Sequence, residues 1–137
     1  TIVTYTGRLV SYKGLPVLLS VWKRLHERHP SAVLVLVGGG SLDMHDCEEE
    51  LKRYVRENGL SASVRFTGNV QNVEDYLRAS DVFAFPTEIE AFGISLIEAM
   101  ACELPAVSTP VGGIKDILRH EENGLIVEVG NETQLEG

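Results

Sequence analysis

Residues 85–110 have the sequence FPTEIEAFGISLIEAMACELPAVSTP, a largely apolar segment whose carboxylates include Glu90 and Glu98. Residues 79–114 contain no Lys, Arg or His. Glu98 lies in the helical pattern LIEAMA and is expected to be buried, and its i+4 position is Cys102, so a helical Glu to Lys pair is unavailable. A buried carboxylate needs hydrogen-bond donors or a raised pKa. Either a distant basic residue folds onto this segment, or something other than protein supplies the donors.

The same segment runs from a β-rich stretch through a helical one to a second β-rich stretch, and this alternation continues along the chain. Such alternation is typical of βαβ units around a parallel sheet. The continuous Val and Leu run at 32–37 is typical of a central parallel strand. The sequence therefore predicts an α/β fold, a Rossmann-like parallel sheet with helices on both faces, in a single domain of residues 1–137. Strands are expected at 2–5, 32–37, 63–68, 81–86, 105–108 and 124–129, and helices at 15–29, 43–58, 73–80, 92–102 and 115–119.

The composition argues against several classes of partner. A formal net charge of -8 disfavours a surface that binds nucleic acid. No apolar run approaches the length of about 20 residues that a membrane span requires. Cys47 and Cys102 lack CxxC spacing, which suits a reducing compartment, and we expect a cytoplasmic location. His26 and His29 share a helix face but have no third ligand in view, so no metal site is predicted.

Ligands of open parallel sheets bind at the carboxyl ends of the strands, so the loops after strands are the candidate sites. The loop after the first strand carries Arg8, a planar fork for phosphate oxygens, and Lys13, a mobile point charge. Taken alone, two such cations are more often solvated surface residues. The glycine-rich turn after the second strand, with Gly39 at its centre, is a second candidate. It lacks the GxGxxG spacing, and glycines also serve tight turns.

The third candidate loop leads from the fourth strand into the next helix. Residues 91–94 begin that helix, where free backbone N–H groups and the helix dipole favour an anion. The carboxylates of Glu90 and Glu98 would be repelled by the negative charge of a phosphate. These two residues are therefore expected to accept hydrogen bonds from hydroxyl groups. A nucleotide sugar has phosphates in the middle and hydroxylated rings at both ends, and satisfies both requirements. Two alternatives stay open: Glu98 as a core carboxylate paired with Arg8 or Lys115, and Glu90, the more exposed in expectation, as a surface acid.

Five spaced motifs carry a family resemblance: GRLVSYKG, LVGGGS, VRFTGNV, DVFAFPTEIEAFGISLIEAMACELPAVSTPVGG and ENGLIVEVG. In this order they resemble the C-terminal, donor-binding domain of family 4 glycosyltransferases of the GT-B fold. The resemblance covers nearly the whole chain. Glu90 and Glu98 stand at the two ends of that family's E-x7-E motif, with AFGISLI between them.

The resemblance implies catalytic roles for three residues. Arg8 and Lys13 match the residues that clamp the donor diphosphate and neutralise the leaving nucleotide, a form of electrostatic transition-state stabilisation. Glu90 matches the acid beside the transferred sugar.

The resemblance also implies how the donor is bound. Glu98 matches the acceptor of hydrogen bonds from the ribose hydroxyls, and Val70 lies in the loop where the base would rest. The backbone of Phe92, Gly93 and Ile94 would meet the phosphates.

An enzyme of this kind retains anomeric configuration, needs no metal for donor binding, and uses no cofactor beyond a UDP-, GDP- or ADP-sugar donor. We expect transfer of a hexose-type sugar to an acceptor hydroxyl. A separate N-terminal domain binds the acceptor in such enzymes, and any contact with the cytoplasmic membrane surface is expected through it. The sequence starts without Met and stops as a helix begins. We therefore expect a fragment that lacks this domain and the final helices, and that binds donor without transferring sugar.

Alternatives remain at the level of function. A glycogen-synthase-like or sugar-phosphate synthase enzyme shares the same donor-binding domain. A non-catalytic nucleotide-binding or interaction module can use the same fold. The presence together of Arg8, Lys13, Glu90 and Glu98 argues against lost activity. Glu103 stands where the family commonly has Gly, and a positive φ there would cost of order 1 kcal/mol.

Overall fold

The computed structural model describes residues 1–40 and 44–137. Within those ranges the chain forms one sheet with helices packed around it. The strands are β1 (Ile2–Thr6), β2 (Val33–Val37), β3 (Val64–Phe66), β4 (Val82–Phe85), β5 (Ala106–Ser108) and β6 (Leu125–Ile126). The helices are α1 (Leu15–Arg28), α2 (Glu48–Glu57), α3 (Val73–Arg78), α4 (Ile94–Ala101), α5 (Ile114–Ile117) and α6 (Glu132–Glu136), and a 3-10 helix covers Ser11–Lys13.

All strand pairings in the sheet are parallel, in the order β3-β2-β1-β4-β5-β6. The register of β1 and β2 runs from the pair Ile2 and Val33 to the pair Thr6 and Val37. The chain builds outward from β1 to β3 and then returns to β4 on the other side of β1. The boundary between β1 and β4 is therefore the switch point of the topology, where open parallel sheets form a crevice at the carboxyl ends of their strands.

The helices pack in two groups. α1 contacts α2 and α6, whereas α3 contacts α4, and this second pair also contacts β1, β4 and β5. Crossovers between parallel strands are right-handed, so helices that follow strands leading away from β1 in opposite directions lie on opposite faces of the sheet. Coverage of both faces explains the continuous apolar sequence of β2. The predicted α/β, Rossmann-like fold class is confirmed.

The core is built on aromatic side chains of β1 and β4 and on the apolar face of α1. Tyr5 stacks on Phe85, which stacks on Phe83, with ring centroids 5.9 Å and 5.6 Å apart. The indole N–H of Trp22 donates to the Ser63 hydroxyl at 3.2 Å, which satisfies a nitrogen that burial would otherwise leave unpaired. Further residues at helical spacing complete the buried face of α1: Leu15, Leu18, Leu19 and Val21.

The second helix begins later than predicted. Its predicted first residue, Asp43, lies outside the described residues, and residues 44–47 are not helical, so the start is corrected to Glu48. The reason is a non-local pairing. The Cys47 N–H donates to the Leu9 carbonyl at 3.0 Å, and the Cys47 thiol donates to the same oxygen at 3.4 Å. Burial raises the pKa of Cys47 to about 11, so the thiol keeps its proton at neutral pH.

The other predicted elements are present, most with shorter bounds. The last predicted strand is reduced to β6, and α6 follows it, as expected from the sequence. Arg24 of α1 holds α6 through Glu132 at 3.2 Å and Glu136 at 2.9 Å. The Arg24 side chain is 41% exposed, so each of these ion pairs contributes little stability. Among the described residues, none of the helices has the length and apolar character needed to cross a membrane.

The turn after α4 places Glu103 at a φ of 61°. At the level of sequence a positive φ here was only a condition, and the structure shows that the condition is met. A left-handed conformation costs a residue with a side chain about 1–2 kcal/mol because the Cβ approaches the following carbonyl.

Replacing Glu103 with glycine should raise the free energy of unfolding. The relief of strain is partly offset by the greater freedom of glycine in the unfolded chain, which leaves a net gain of about 0.5–1 kcal/mol. Urea denaturation measures the difference. Glu103→Ala is the matched control, because alanine keeps the strained Cβ and should give no gain. Equal stability of the two variants would contradict the proposed strain.

Candidate functional site

Two loops meet at the carboxyl ends of β1 and β4. The loop after β1 ends at Gly14, whose φ is 72° and where an added Cβ would lie 1.8 Å from the Pro86 carbonyl oxygen. In the same contact, the Glu88 N–H donates to the Tyr12 carbonyl at 2.8 Å. The absence of a side chain at Gly14 therefore allows the two loops to dock backbone to backbone across the switch point.

An ion pair joins the same two loops. Lys13 Nζ lies 2.7 Å from Glu90 Oε2, with side chains only 13% and 15% exposed. The ammonium also lies 5.7 Å from the centroid of the Phe85 ring and 5.8 Å from that of Tyr12, within range of cation–π attraction. A distant basic partner was one of the two alternatives for the carboxylates of this segment, and the structure shows such a partner for Glu90. The expectation that Glu90 is the more exposed of the two acids was wrong.

Glu90 also caps the helix that follows it. Its Oε1 accepts from the Gly93 N–H at 3.4 Å, and Gly93 precedes α4 at a φ of 75°. The Gly93 N–H predicted to meet a phosphate is therefore already used within the protein. Phe92 and Ile94, the other two predicted backbone contacts, have side chains that are 72% and 59% exposed.

The glycine turn at Gly112 and Gly113 packs against the backbone of the segment that contains Glu90. The Gly113 N–H donates to the Ala91 carbonyl at 2.9 Å. Gly112 has a φ of 52°, and an added Cβ there would lie 1.6 Å from the Glu90 carbonyl oxygen. The backbone position of Glu90 therefore depends on glycine at Gly112.

Glu98 is exposed, and the prediction that it is buried was wrong. The helix α4 buries Leu96 and Ala99. At 100° per residue, Glu98 lies about 200° around the helix from Leu96, which places it on the opposite side. Within the described part of the chain, the Glu98 carboxylate has no hydrogen bond or ion pair, so the alternative of a core ion pair with Arg8 or Lys115 is not realised there.

Glu98 lines a cleft of about 260 Å³ at the switch point. Arg8 lies on the same cleft, and its Nη2 donates to the Tyr12 hydroxyl at 2.7 Å. The Tyr5 hydroxyl donates to the Arg8 carbonyl at 2.7 Å. Burial raises the pKa of Tyr5 well above its usual value, so this hydroxyl stays protonated and keeps its role as donor. The other residues that line the cleft are Thr6, Gly7, Val37, Gly38, Asn69, Val70, Val73 and Ser95.

The glycine turn after β2 contributes through Gly38. An added Cβ at Gly38 would lie 1.9 Å from the Gly7 carbonyl oxygen, so the turn packs directly on the loop after β1. Gly39, the predicted ligand contact, is buried, and its carbonyl accepts from the Leu9 N–H at 2.9 Å. The structure thus places Gly38 on the cleft and gives Gly39 a supporting position next to it.

The cleft continues into a second groove of about 550 Å³ between α3 and α4. The two cavities share Val73 and Glu98. The predicted residues Arg8, Val70 and Glu98 are therefore brought together, while Lys13 and Glu90 lie in the adjacent loop contact. Sequence reasoning missed the contributions of Thr6, Gly38, Asn69 and Ser95. Of these, Ser95 could have been predicted from the sequence, because it lies about one helical turn before Glu98 and on the same helix face.

The described residues contain no cluster of three or more His, Cys, Asp or Glu side chains arranged to hold a metal ion.

A six-stranded parallel sheet with a cleft at its switch point defines an α/β, Rossmann-like domain of the kind found in GT-B glycosyltransferases. The chain belongs to the family of glycosyl transferases group 1, whose family model matches residues 1–137. An uncharacterized glycosyltransferase of Haemophilus influenzae is 35% identical over 126 residues, which are 91% of this chain and 34% of that protein. The chain thus spans about a third of that relative's length.

Two crystal structures share the fold closely. HepE from Anabaena, in complex with UDP and glucose, has a TM-score of 0.90 at 27% identity, over 98% of this chain and 36% of that one. The C-terminal domain of a group 1 glycosyl transferase from Francisella tularensis has a TM-score of 0.89 at 25% identity, over 98% of this chain and 71% of that one.

Proposed function

We propose that residues 1–137 form the donor-binding domain of a retaining glycosyltransferase that transfers a hexose-type sugar from a nucleoside-diphosphate sugar to an acceptor hydroxyl. The observation that carries this proposal is the cleft at the switch point, which is lined by Arg8 and by Glu98, whose carboxylate has no partner within residues 1–40 and 44–137. A diphosphate and a ribose diol are the two groups that these side chains recognise. Membership of the glycosyltransferase family supports the same assignment.

In this proposal Glu98 accepts hydrogen bonds from the ribose hydroxyls. Its carboxylate is exposed and has no hydrogen-bond or ion-pair partner among the described residues, so both of its oxygens are available to a ligand. The base extends from the ribose toward Val70, which lines the same cleft as Glu98. A hydrogen bond to a charged acceptor contributes about 1.5–3 kcal/mol, which is enough to fix the orientation of the nucleoside.

Arg8 and Lys13 are assigned to the diphosphate. The planar guanidinium suits two phosphate oxygens at once, and the ammonium supplies a point charge next to them. When the bond between the anomeric carbon and the diphosphate oxygen breaks, negative charge gathers on the leaving nucleotide. Cations that are already in place stabilise that charge without reorganisation.

Glu90 is assigned to the transferred sugar, and its ion pair constrains how the donor enters. The Lys13 ammonium is neutralised by Glu90 before the donor arrives. A phosphate of the donor therefore competes with the Glu90 carboxylate for Lys13. If Lys13 moves to the phosphate, a sugar hydroxyl can donate a hydrogen bond to Glu90 in its place, which lowers the free-energy cost of breaking the ion pair. The Ile94 N–H at the start of α4 is the proposed backbone contact to phosphate, with Phe92 and Gly93 shaping the turn and Gly39 supporting the opposite wall.

The remaining parts of the proposal concern the whole protein. We assign UDP as the first donor nucleotide to test, ahead of GDP and ADP, because a neighbouring fold binds UDP. Donor binding uses no metal and no cofactor, and a separate N-terminal domain of a cytoplasmic protein binds the acceptor. Residues 1–137 alone then bind donor but do not transfer sugar.

Glu98→Gln should weaken UDP binding by about 1 to 3 kcal/mol, because a neutral amide is a poorer acceptor for the ribose hydroxyls. Isothermal titration calorimetry with UDP, GDP and ADP in turn measures the loss and the base preference. Glu57→Gln is the control, since Glu57 is an exposed glutamate of α2 that does not line the cleft. If the wild-type chain binds none of the three nucleotides at millimolar concentration, the chain is an interaction module and not a donor-binding domain.

Glu90→Gln should change the affinities for UDP and UDP-glucose by different amounts. Removing this charge releases Lys13 for the diphosphate, so UDP should bind roughly tenfold more tightly, about 1.4 kcal/mol. UDP-glucose should gain less or lose affinity, because its sugar no longer meets a carboxylate. Parallel calorimetric titrations compare the two ligands, with Glu88→Gln in the same loop as control. An equal gain in affinity for UDP and UDP-glucose would contradict the assignment of Glu90 to the transferred sugar.

A further inference from the structure

One buried hydroxyl of the described chain has no partner. Thr6 is 2% exposed, and its Oγ1 makes no hydrogen bond within residues 1–40 and 44–137. The other polar residues in those ranges that are buried as a whole are all hydrogen-bonded: Thr4 to Ser80, Ser63 to Trp22 and Leu60, Thr87 to Tyr12 and Ile89, Ser108 to Phe85, and Thr109 to Thr87. The second buried polar atom without a partner in those ranges is Nδ1 of His26, whose half-buried side chain does not line the cleft. Buried polar groups in folded proteins are nearly always paired, so the exception requires an explanation.

The position of Thr6 supplies one. Thr6 is the last residue of β1, at the switch point of the sheet, and it lines the cleft together with Gly7 and Arg8. Thr4, two residues earlier and on the same face of the strand, is bonded to Ser80 and does not line the cleft. A valine at position 6 would fill the same volume without a buried hydroxyl. The unpaired hydroxyl therefore lies where a ligand in the cleft can complete it.

We propose that the Thr6 hydroxyl donates a hydrogen bond to a phosphate oxygen of the nucleoside diphosphate, an inference that rests on the proposed function. The phosphate is favoured over the ribose because Thr6 lies two residues from the cation Arg8, whereas the ribose is assigned to Glu98 on the opposite helix. A hydroxyl donor to an anionic oxygen makes a short, strong hydrogen bond. The Thr6 hydroxyl has no partner among the described residues, so it can bond a phosphate oxygen without first giving up a hydrogen bond within them.

The test compares Thr6→Val with Thr6→Ser in the 137-residue chain, using UDP as the probe. Thr6→Val should weaken UDP binding about tenfold, the loss of one hydrogen bond to a charged group, and Thr6→Ser should stay within about threefold of the wild type. Thermal denaturation of the free protein adds a second readout. The unliganded Thr6→Val variant should be as stable as the wild type or more so, because it loses an unpaired hydroxyl.

Thr4→Val is the matched control. Its hydroxyl is bonded to Ser80, so this variant should lose stability and keep its UDP affinity. Uridine, whose weak binding is followed by NMR line broadening, separates the two halves of the ligand. Thr6→Val should leave uridine binding unchanged.

Three results would overturn the inference. Equal UDP affinity of Thr6→Val and the wild type would mean that the hydroxyl meets no ligand. Reduced stability of free Thr6→Val would mean that the hydroxyl has a structural partner. Equal losses for UDP and uridine would place the contact on the nucleoside. A wild-type chain that binds no UDP, GDP or ADP would instead overturn the proposed function, and this inference with it.

Discussion

The candidate site depends on one contact, the docking of the loop after β1 against the loop after β4. The ion pair of Lys13 and Glu90 lies in that contact, with side chains 13% and 15% exposed. Removing two charges from water is costly, so such a pair persists only where the backbone on both sides is held in place. Gly14 and Gly112 provide that support, since an added Cβ at either would collide with a carbonyl of the loop after β4.

This arrangement separates two kinds of carboxylate in the E-x7-E motif. Glu90 is neutralised by Lys13 and bonded to the Gly93 N–H, so it is held in one place and its charge is compensated. Glu98, two helical turns further on, faces outward with no partner among the described residues. One acid is thus fixed by the protein, and the other is available to a ligand. In a chain with a net charge of -8, this edge of the sheet carries the two cations Arg8 and Lys13, of which Lys13 is paired with Glu90.

The sequence predicted the fold well because its signals are local. The apolar run of β2 and the spacing of Leu18, Leu19 and Trp22 in α1 each identify an element from neighbouring residues alone. The start of α2 could not be predicted in the same way. It depends on Cys47 pairing with Leu9, 38 residues away, and no local pattern encodes that contact.

The sequence predicted which residues belong to the site better than it predicted which contacts they make. Arg8, Val70 and Glu98 meet at the cleft, but the pattern LIEAMA did not reveal which face of α4 the core would cover. The partner of Glu90 lies 77 residues away, so the pair with Lys13 was invisible from the segment itself. Thr6 carries no signal in the sequence, because a threonine at the end of a strand is common. Its significance comes from the missing partner.

The most direct test of the central claim is an amide NMR titration of the isotopically labelled 137-residue chain with UDP. The account predicts that the largest shift changes occur at the cleft, in the amides of Gly7, Gly38, Val70 and Glu98. The amide chemical shifts of Ser31 and Ala32, at the amino end of the sheet, should not change. Absence of any shift at millimolar UDP, or shifts concentrated at the amino end of the sheet, would contradict a nucleotide site at the switch point.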